Sequence, residues 1–146
     1  MKLTIKDFSK EIPTNVDELV TMSDKIWKLG SLAEIKEKIS PELFEIHVGA
    51  NIIGNWQGDG WLSILHYQRD LVPYIYPFLK KLNLTEMAEK FSDILSLFSE
   101  NCNVQAILFS EETQAKIEEL EDITTSDWNL SAKGEGFASV LNMIQL

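Results

Sequence analysis

The stretch GNWQGDGWLSILHYQRDLVPYIYPFL, residues 54–79, decides how this chain is expected to fold. It holds three glycines, two tryptophans and two prolines. The Asp59-Gly60 pair predicts a turn, because glycine takes positive φ without steric cost. We therefore expect a Gly/Trp-rich turn near residues 54–61. The two indoles, Trp56 and Trp61, then either join two helices in the core or form an exposed aromatic patch with Tyr74.

Helical signals precede this turn. In TNVDELVTMSDKIWKLG, residues 14–30, Thr14 or Asn15 can cap a helix, and the glycine at the other end can terminate it. Ser31 and Glu34 form the sequence pattern of a capping box for the next helix. PELFEIHVGANII, residues 41–53, favours a helix over a strand. Its apolar stripe comprises Leu43, Ile46, His47, Ala50 and Ile53 or Gly54.

Helical periodicity continues after the turn. LTEMAEKFSDILSLF, residues 84–98, is the clearest amphipathic helix, and EETQAKIEEL, residues 111–120, starts with carboxylates that favour a helix N-terminus. A loop, TTSDWNLSAKGEG, is expected before a closing helix, GFASVLNMIQL, at 136–146. NVQAILF, residues 103–109, fits a strand as well as a helix. We predict an all-α fold, a single-domain bundle of about six or seven helices spanning residues 1–146.

Composition predicts a cytoplasmic protein with one core. The chain has 146 residues, of which 45% are hydrophobic, enough for one compact domain. MKLTIKDFSKEIP at the start lacks the apolar segment of a signal peptide, and Cys102 is the single cysteine. No apolar run approaches the roughly 18 residues that a membrane-spanning helix needs.

The negative charge is concentrated towards the C-terminal end. The chain has 13 basic and 23 acidic residues, and residues 81–146 hold four basic and twelve acidic ones. Such a surface repels phosphate, which disfavours direct nucleic-acid or membrane-surface binding and favours a basic protein partner. A solvent-exposed helix face with no binding role would have the same acidic composition. The candidate partner-binding residues are Glu111, Glu112, Glu118, Glu119, Glu121 and Asp122.

Other residues suggest a ligand or a metal ion as the alternative. Small-ligand binding would use the segment from Gly54 to Tyr76, with Trp56, Asp59, Trp61 and Tyr74 as the candidates. His66 and Asp70 have the i, i+4 spacing of two ligands on one helix, and His47 could add a third. Structural zinc would need further Cys or His, so no metal and no cofactor is predicted. GNWQGDG lacks the lysine of a P-loop, and no residue is predicted to be catalytic.

A resemblance supports the interaction hypothesis. GDGW, followed by LSILHYQRDLVPYIYPFLKKLNLTEMAEKFSDIL, resembles the central part of a family of small, acidic, all-helical bacterial proteins that includes a DNA mimic. Gly60 and Trp61 match the second glycine and the aromatic of that family's Asn-Gly-Gly-Phe motif. Asp59 replaces its first glycine or the neighbour of that glycine, and Leu82-Asn83-Leu84 lies where the family has Ile-Gly-Ala. The resemblance covers residues 55–98 and implies a helical fold, a binding role and no catalytic residue. We expect a non-catalytic protein of the immunity, antitoxin or DNA-mimic kind.

Overall fold

The structure is a computed structural model that describes residues 1–98, 102–128 and 140–143. Within these ranges the chain is helical and forms no strand, apart from an isolated bridge between Leu3 and Ile39. The all-α prediction is confirmed. The α-helices are α1 Val16–Trp27, α2 Leu32–Lys38, α3 Pro41–Tyr67, α4 Val72–Lys81, α5 Thr85–Leu95, α6 Val104–Leu108 and α7 Glu111–Trp128. Ile5–Asp7 and Arg69–Leu71 are 3-10 turns, and residues 140–143 are helical.

Contacts divide the chain into two compact units, with the boundary inside α3. The first unit comprises residues 1–54 and 134–146, and the second comprises residues 55–133. None of the described helices combines the length and apolarity that a membrane span requires. The prediction of one domain over residues 1–146 stays a prediction.

The first unit contains α1, α2 and the beginning of α3. The amide N–H of Glu18 donates to the side chain of Asn15 at 2.9 Å, so Asn15 is the cap of α1, one of the two residues that the sequence offered for this role. The capping box of Ser31 and Glu34 is present, and Gly30 has φ of 136°, which glycine tolerates. The predicted stripe of α3 is buried: Leu43, Ile46, His47, Ala50 and Ile53.

The predicted turn near residues 54–61 is confined to one residue. Helix α3 continues through Gly54 and Gly58 and is interrupted only at Gly60, where φ is 81° and ψ is −178°. An isolated glycine costs a helix only about 1 kcal/mol, so packing can hold the first two glycines in helical geometry. The interruption thus lies at the predicted Asp59-Gly60 pair, and the rest of residues 54–61 is helical.

The second unit is built around α5, which packs against α4 and α7. The buried face of α5 consists of Met87, Ala88, Phe91 and Ile94. Helix α7 buries Thr113, Ile117, Leu120, Thr124 and Trp128, which are spaced three or four residues apart.

Two predictions for the C-terminal third need correction or completion. The loop expected to begin at Thr124 is helical as far as Trp128, because Thr124 donates its hydroxyl to the carbonyl of Leu120 at 2.7 Å and Trp128 is buried. Residues 103–109 contain helix α6, whose cap is Asn103, the acceptor for the amide of Ala106 at 3.2 Å. The predicted closing helix lies largely outside the described residues.

Candidate functional site

The two indoles that flank the interruption of α3 are buried. The side chains of Trp56 and Trp61 are 3% and 0% exposed. The ring of Trp128 lies 5.3 Å from that of Trp56 and 6.1 Å from that of Trp61, and Phe91 lies 5.4 Å from Trp61. Of the two alternatives for these indoles, core packing is confirmed and the exposed patch was wrong for Trp56 and Trp61, because the extension of α7 places a third indole against both of them.

The carboxylate of Glu121 connects α7 to the interruption in α3. The backbone N–H of Trp61 donates to Oε1 of Glu121 at 2.6 Å, and Nε1 of Trp56 donates to Oε2 at 2.9 Å. The indole N–H of Trp61 donates to the hydroxyl of Thr124 at 2.7 Å. A break in a helix leaves backbone N–H groups without acceptors, and a carboxylate is a strong acceptor for them. Glu121 therefore acts as a cap supplied by a distant helix.

This junction requires a glycine at position 60. A Cβ atom added to Gly60 would lie 2.8 Å from Oε1 of Glu121, and the positive φ disfavours any L side chain. Gly58 differs, because nothing lies within 4 Å of a Cβ added there. The two neighbouring glycines thus have unequal structural roles.

The four ligand-binding candidates lie in different environments. Asp59 is exposed and Tyr74 is half-buried on α4, whereas Trp56 and Trp61 are in the core. Both indole N–H groups already donate within the protein, to Glu121 and Thr124. A ligand-binding role for the four residues stays a prediction.

The outward side of α7 carries five of the six predicted acidic residues. The sixth, Glu121, instead bonds to Trp56 and Trp61. We call the exposed carboxylates the acidic face of α7, and they are Glu111, Glu112, Glu118, Glu119 and Asp122. Among the described residues only Glu119 has a basic partner, Lys90 of α5, at 2.9 Å. Their mutual hydrogen bond raises the pKa of Lys90 and lowers that of Glu119. The other four carboxylates have no ion pair within the described residues.

Further carboxylates lie where α5 runs beside α7. Partial burial, and to a lesser degree the charge of Glu86, raises the pKa of the Asp127 carboxyl. Asp93 and Glu86 also contribute to the raised pKa of Lys90. This lysine is therefore a cation within a group of acidic side chains.

The two histidines occupy separate environments. His47, 1% exposed, shares a hydrogen bond of 2.8 Å between its Nδ1 and the hydroxyl of Ser23, and the amide of Asn51 donates to that hydroxyl at 3.0 Å. Its Nε2 is buried and has no hydrogen-bond partner in the part of the chain that the structure describes. Burial lowers the pKa of His47 to about 4. His66, in the last turn of α3, lies beside Gln105, with 3.3 Å between the two Nε2 atoms.

The proposed metal ligands are not brought together. Helix α3 ends at Tyr67, and Asp70 belongs to the following 3-10 turn, so His66 and Asp70 do not share a helix. In the ranges that the structure describes, no three His, Cys, Asp or Glu side chains form a group that could hold a metal ion. The three-ligand arrangement with His47 is therefore not assembled.

Sequence reasoning missed two exposed aromatic side chains. Tyr67 is 73% exposed at the end of α3, and Phe109 is 59% exposed between α6 and α7. The ring of His66 lies 4.2 Å from that of Tyr67 and 6.0 Å from that of Phe109. Their positions at helix ends, outside any apolar stripe, are the signal that could have identified them.

Thr124 and Trp128 were also missed. The spacing of Thr113, Ile117 and Leu120 extends to both residues, so a longer helical stripe was visible in the sequence. The Thr-Thr-Ser run at 124–126 suggested a loop instead, because hydroxyl side chains often compete with the helix backbone.

Comparison with protein-family models, with curated proteins and with solved structures finds no match for this chain. The resemblance to the acidic helical family that includes a DNA mimic therefore stays an expectation.

Proposed function

We propose that this chain is a non-catalytic interaction protein that binds a basic protein partner through the acidic face of α7. The observation that carries the proposal is the charge arrangement of this face. All five of its carboxylates are exposed. Four of them have no ion pair within the described residues, namely Glu111, Glu112, Glu118 and Asp122.

Exposed, unpaired carboxylates suit association. Their charges are not consumed by internal salt bridges, so they can attract a cationic surface and increase its association rate. Each remains partly hydrated, so pairing with a partner does not first require an internal salt bridge to break.

A partner that binds nucleic acid fits this arrangement. With a rise of 1.5 Å per residue, the carboxylates of Glu118 and Asp122 originate about 6 Å apart along the helix, and Glu111 lies about 10 Å before Glu118. Repeated negative charges on a rigid rod can occupy a cationic groove that otherwise receives phosphates. We therefore favour a DNA-mimic or immunity-type role over a general affinity for cations.

The test compares two charge-reversed variants of the full chain. E118K/D122K changes the acidic face, and D24K/E37K makes the same change of charge at exposed positions of α1 and α2. Partners captured from lysate of the source organism are identified by mass spectrometry, and each purified partner is titrated at low and high salt.

We expect E118K/D122K to lose a basic partner that the wild type and D24K/E37K retain, with binding weaker at high salt. Equal binding of that partner by both variants would overturn the proposal. So would a specific partner whose binding does not depend on salt.

A further inference from the structure

The exposed aromatic side chains form a small surface of their own in the second unit. We call His66, Tyr67 and Phe109 the aromatic edge. Tyr67 and Phe109 are largely solvent-exposed, and the half-buried ring of His66 lies next to both. Exposed aromatic rings are common anchors of protein interfaces, because they bury a large area at a small cost in conformational entropy.

The aromatic edge adjoins the acidic face of α7. Phe109 precedes Glu111 by two residues, so their Cα atoms lie at most about 7 Å apart, and Glu112 follows directly. Glu111 and Glu112 are exposed, and no described cation pairs with either of them. An exposed ring and two exposed carboxylates therefore occur within four consecutive residues, 109–112.

The basic side chain nearest in sequence to His66 and Tyr67, that of Arg69, is already engaged. The guanidinium of Arg69 lies 5.3 Å from the centre of the Phe98 ring, and its Nη1 donates to the carbonyl of Leu65 at 3.4 Å. Arg69 thus stacks on a different ring, and its contacts do not neutralise Glu111 or Glu112.

We infer that the aromatic edge, together with Glu111 and Glu112, recognises arginine side chains of the basic partner. This inference rests on the proposed function and specifies the chemistry of the partner. A guanidinium can stack flat on Tyr67 or Phe109 while its N–H groups pair with a carboxylate. A lysine ammonium has the same charge but offers neither the planar surface nor the forked donors.

The test uses hexa-arginine and hexa-lysine peptides, which have the same number of side-chain charges. Each is titrated into the full chain, with affinity from calorimetry and location from amide NMR shifts. We expect hexa-arginine to bind roughly two- to fivefold more tightly, which corresponds to one cation–π contact at an exposed site. The largest shifts should map to Tyr67, Phe109, Glu111 and Glu112.

The matched variant Y67L/F109L keeps apolar side chains at these two exposed positions but removes the rings. It should lose the preference for arginine and retain the affinity for hexa-lysine. E111Q/E112Q should weaken the binding of both peptides. Equal affinities of the two peptides for the wild type, or a preference for arginine that persists in Y67L/F109L, would overturn the inference.

These failures can be told apart from failure of the proposed function. If E118K/D122K loses the natural partner while the wild type does not distinguish the two peptides, the acidic face binds a partner without arginine recognition. If the natural partner is unaffected by E118K/D122K, the proposed function fails and the inference fails with it.

Discussion

The backbone N–H of Trp61 donates to the carboxylate of Glu121, 60 positions later in the chain, at 2.6 Å. This bond joins the interruption of α3 to the middle of α7. The sequence alone places Glu121 among six surface acids, but the structure makes it an internal acceptor with two donors. Loss of the Glu121 carboxylate should therefore lower the free energy of unfolding rather than weaken partner binding.

Replacing Glu121 by alanine should destabilise the protein. E121A removes the acceptor of both the Trp61 amide and the Trp56 indole, and a hydrogen bond to a charged group contributes about 1.5–3 kcal/mol. We expect a loss of roughly 2–4 kcal/mol in the free energy of unfolding, measured by urea denaturation. The control E118A, at an exposed position of the same helix, should change it by less than about 0.5 kcal/mol. Similar midpoints for the two variants would contradict the capping role of Glu121.

The two neighbouring glycines should respond to alanine in opposite directions. G60A places a Cβ 2.8 Å from Oε1 of Glu121 in a backbone conformation with positive φ, and should cost roughly 1–3 kcal/mol. G58A adds a methyl group to open space in a helix and should stabilise by about 0.5–1 kcal/mol. Thermal unfolding followed by circular dichroism measures both. A tolerated G60A would show that the interruption of α3 is not required.

The buried hydroxyl of Thr124 should contribute through its hydrogen bond to the indole of Trp61. T124V keeps the shape of the side chain but leaves the indole N–H unpaired, which should cost about 1–3 kcal/mol. T125V, at the next and exposed position, is the matched control and should have little effect. T124S should recover most of the stability. A T124V variant as stable as T125V would show that the indole N–H finds another acceptor.

His47 should make the protein less stable in mild acid. Burial lowers its pKa to about 4, against an ordinary value near 6.5, so between these values the unfolded chain binds a proton that the folded chain does not. The contribution of neutral His47 is present above pH 6.5 and is lost as the pH falls towards 4, by about 3 kcal/mol. Urea denaturation of the wild type and H47Q at several pH values measures it. The prediction would be contradicted if the free energy of unfolding fell equally steeply with pH in the wild type and in H47Q.

Local features of the fold could be predicted from the sequence, because they depend on residues close together in the chain. The cap at Asn15 and the capping box at Ser31 are set by side chains three residues from their backbone donors. The buried stripe of α3 follows from a periodicity that any amphipathic helix shows. The hydroxyl-rich run at Thr124 was misinterpreted, because burial of Trp128 outweighs a weak local preference against the helix.

The candidate site could be predicted only in part. The acidic character of α7 is visible in the sequence. Five of its carboxylates are exposed, which is compatible with the predicted partner binding but does not test it. The sequence could not show that Tyr67 and Phe109 flank His66, because three rings from two helix ends become neighbours only after α3 and α6 have packed.

The sequence by itself determined most of the helices, with many of their caps and buried faces, and the excess of negative charge towards the C-terminal end. Tertiary structure decided which carboxylate left the surface, which glycine interrupted a helix and which aromatic rings stayed exposed. The physical reason is the range of the interactions. Helical periodicity and capping act within a few residues, whereas the contacts of Glu121 with Trp56 and Trp61 join positions at least 60 residues apart and form only when α7 reaches α3.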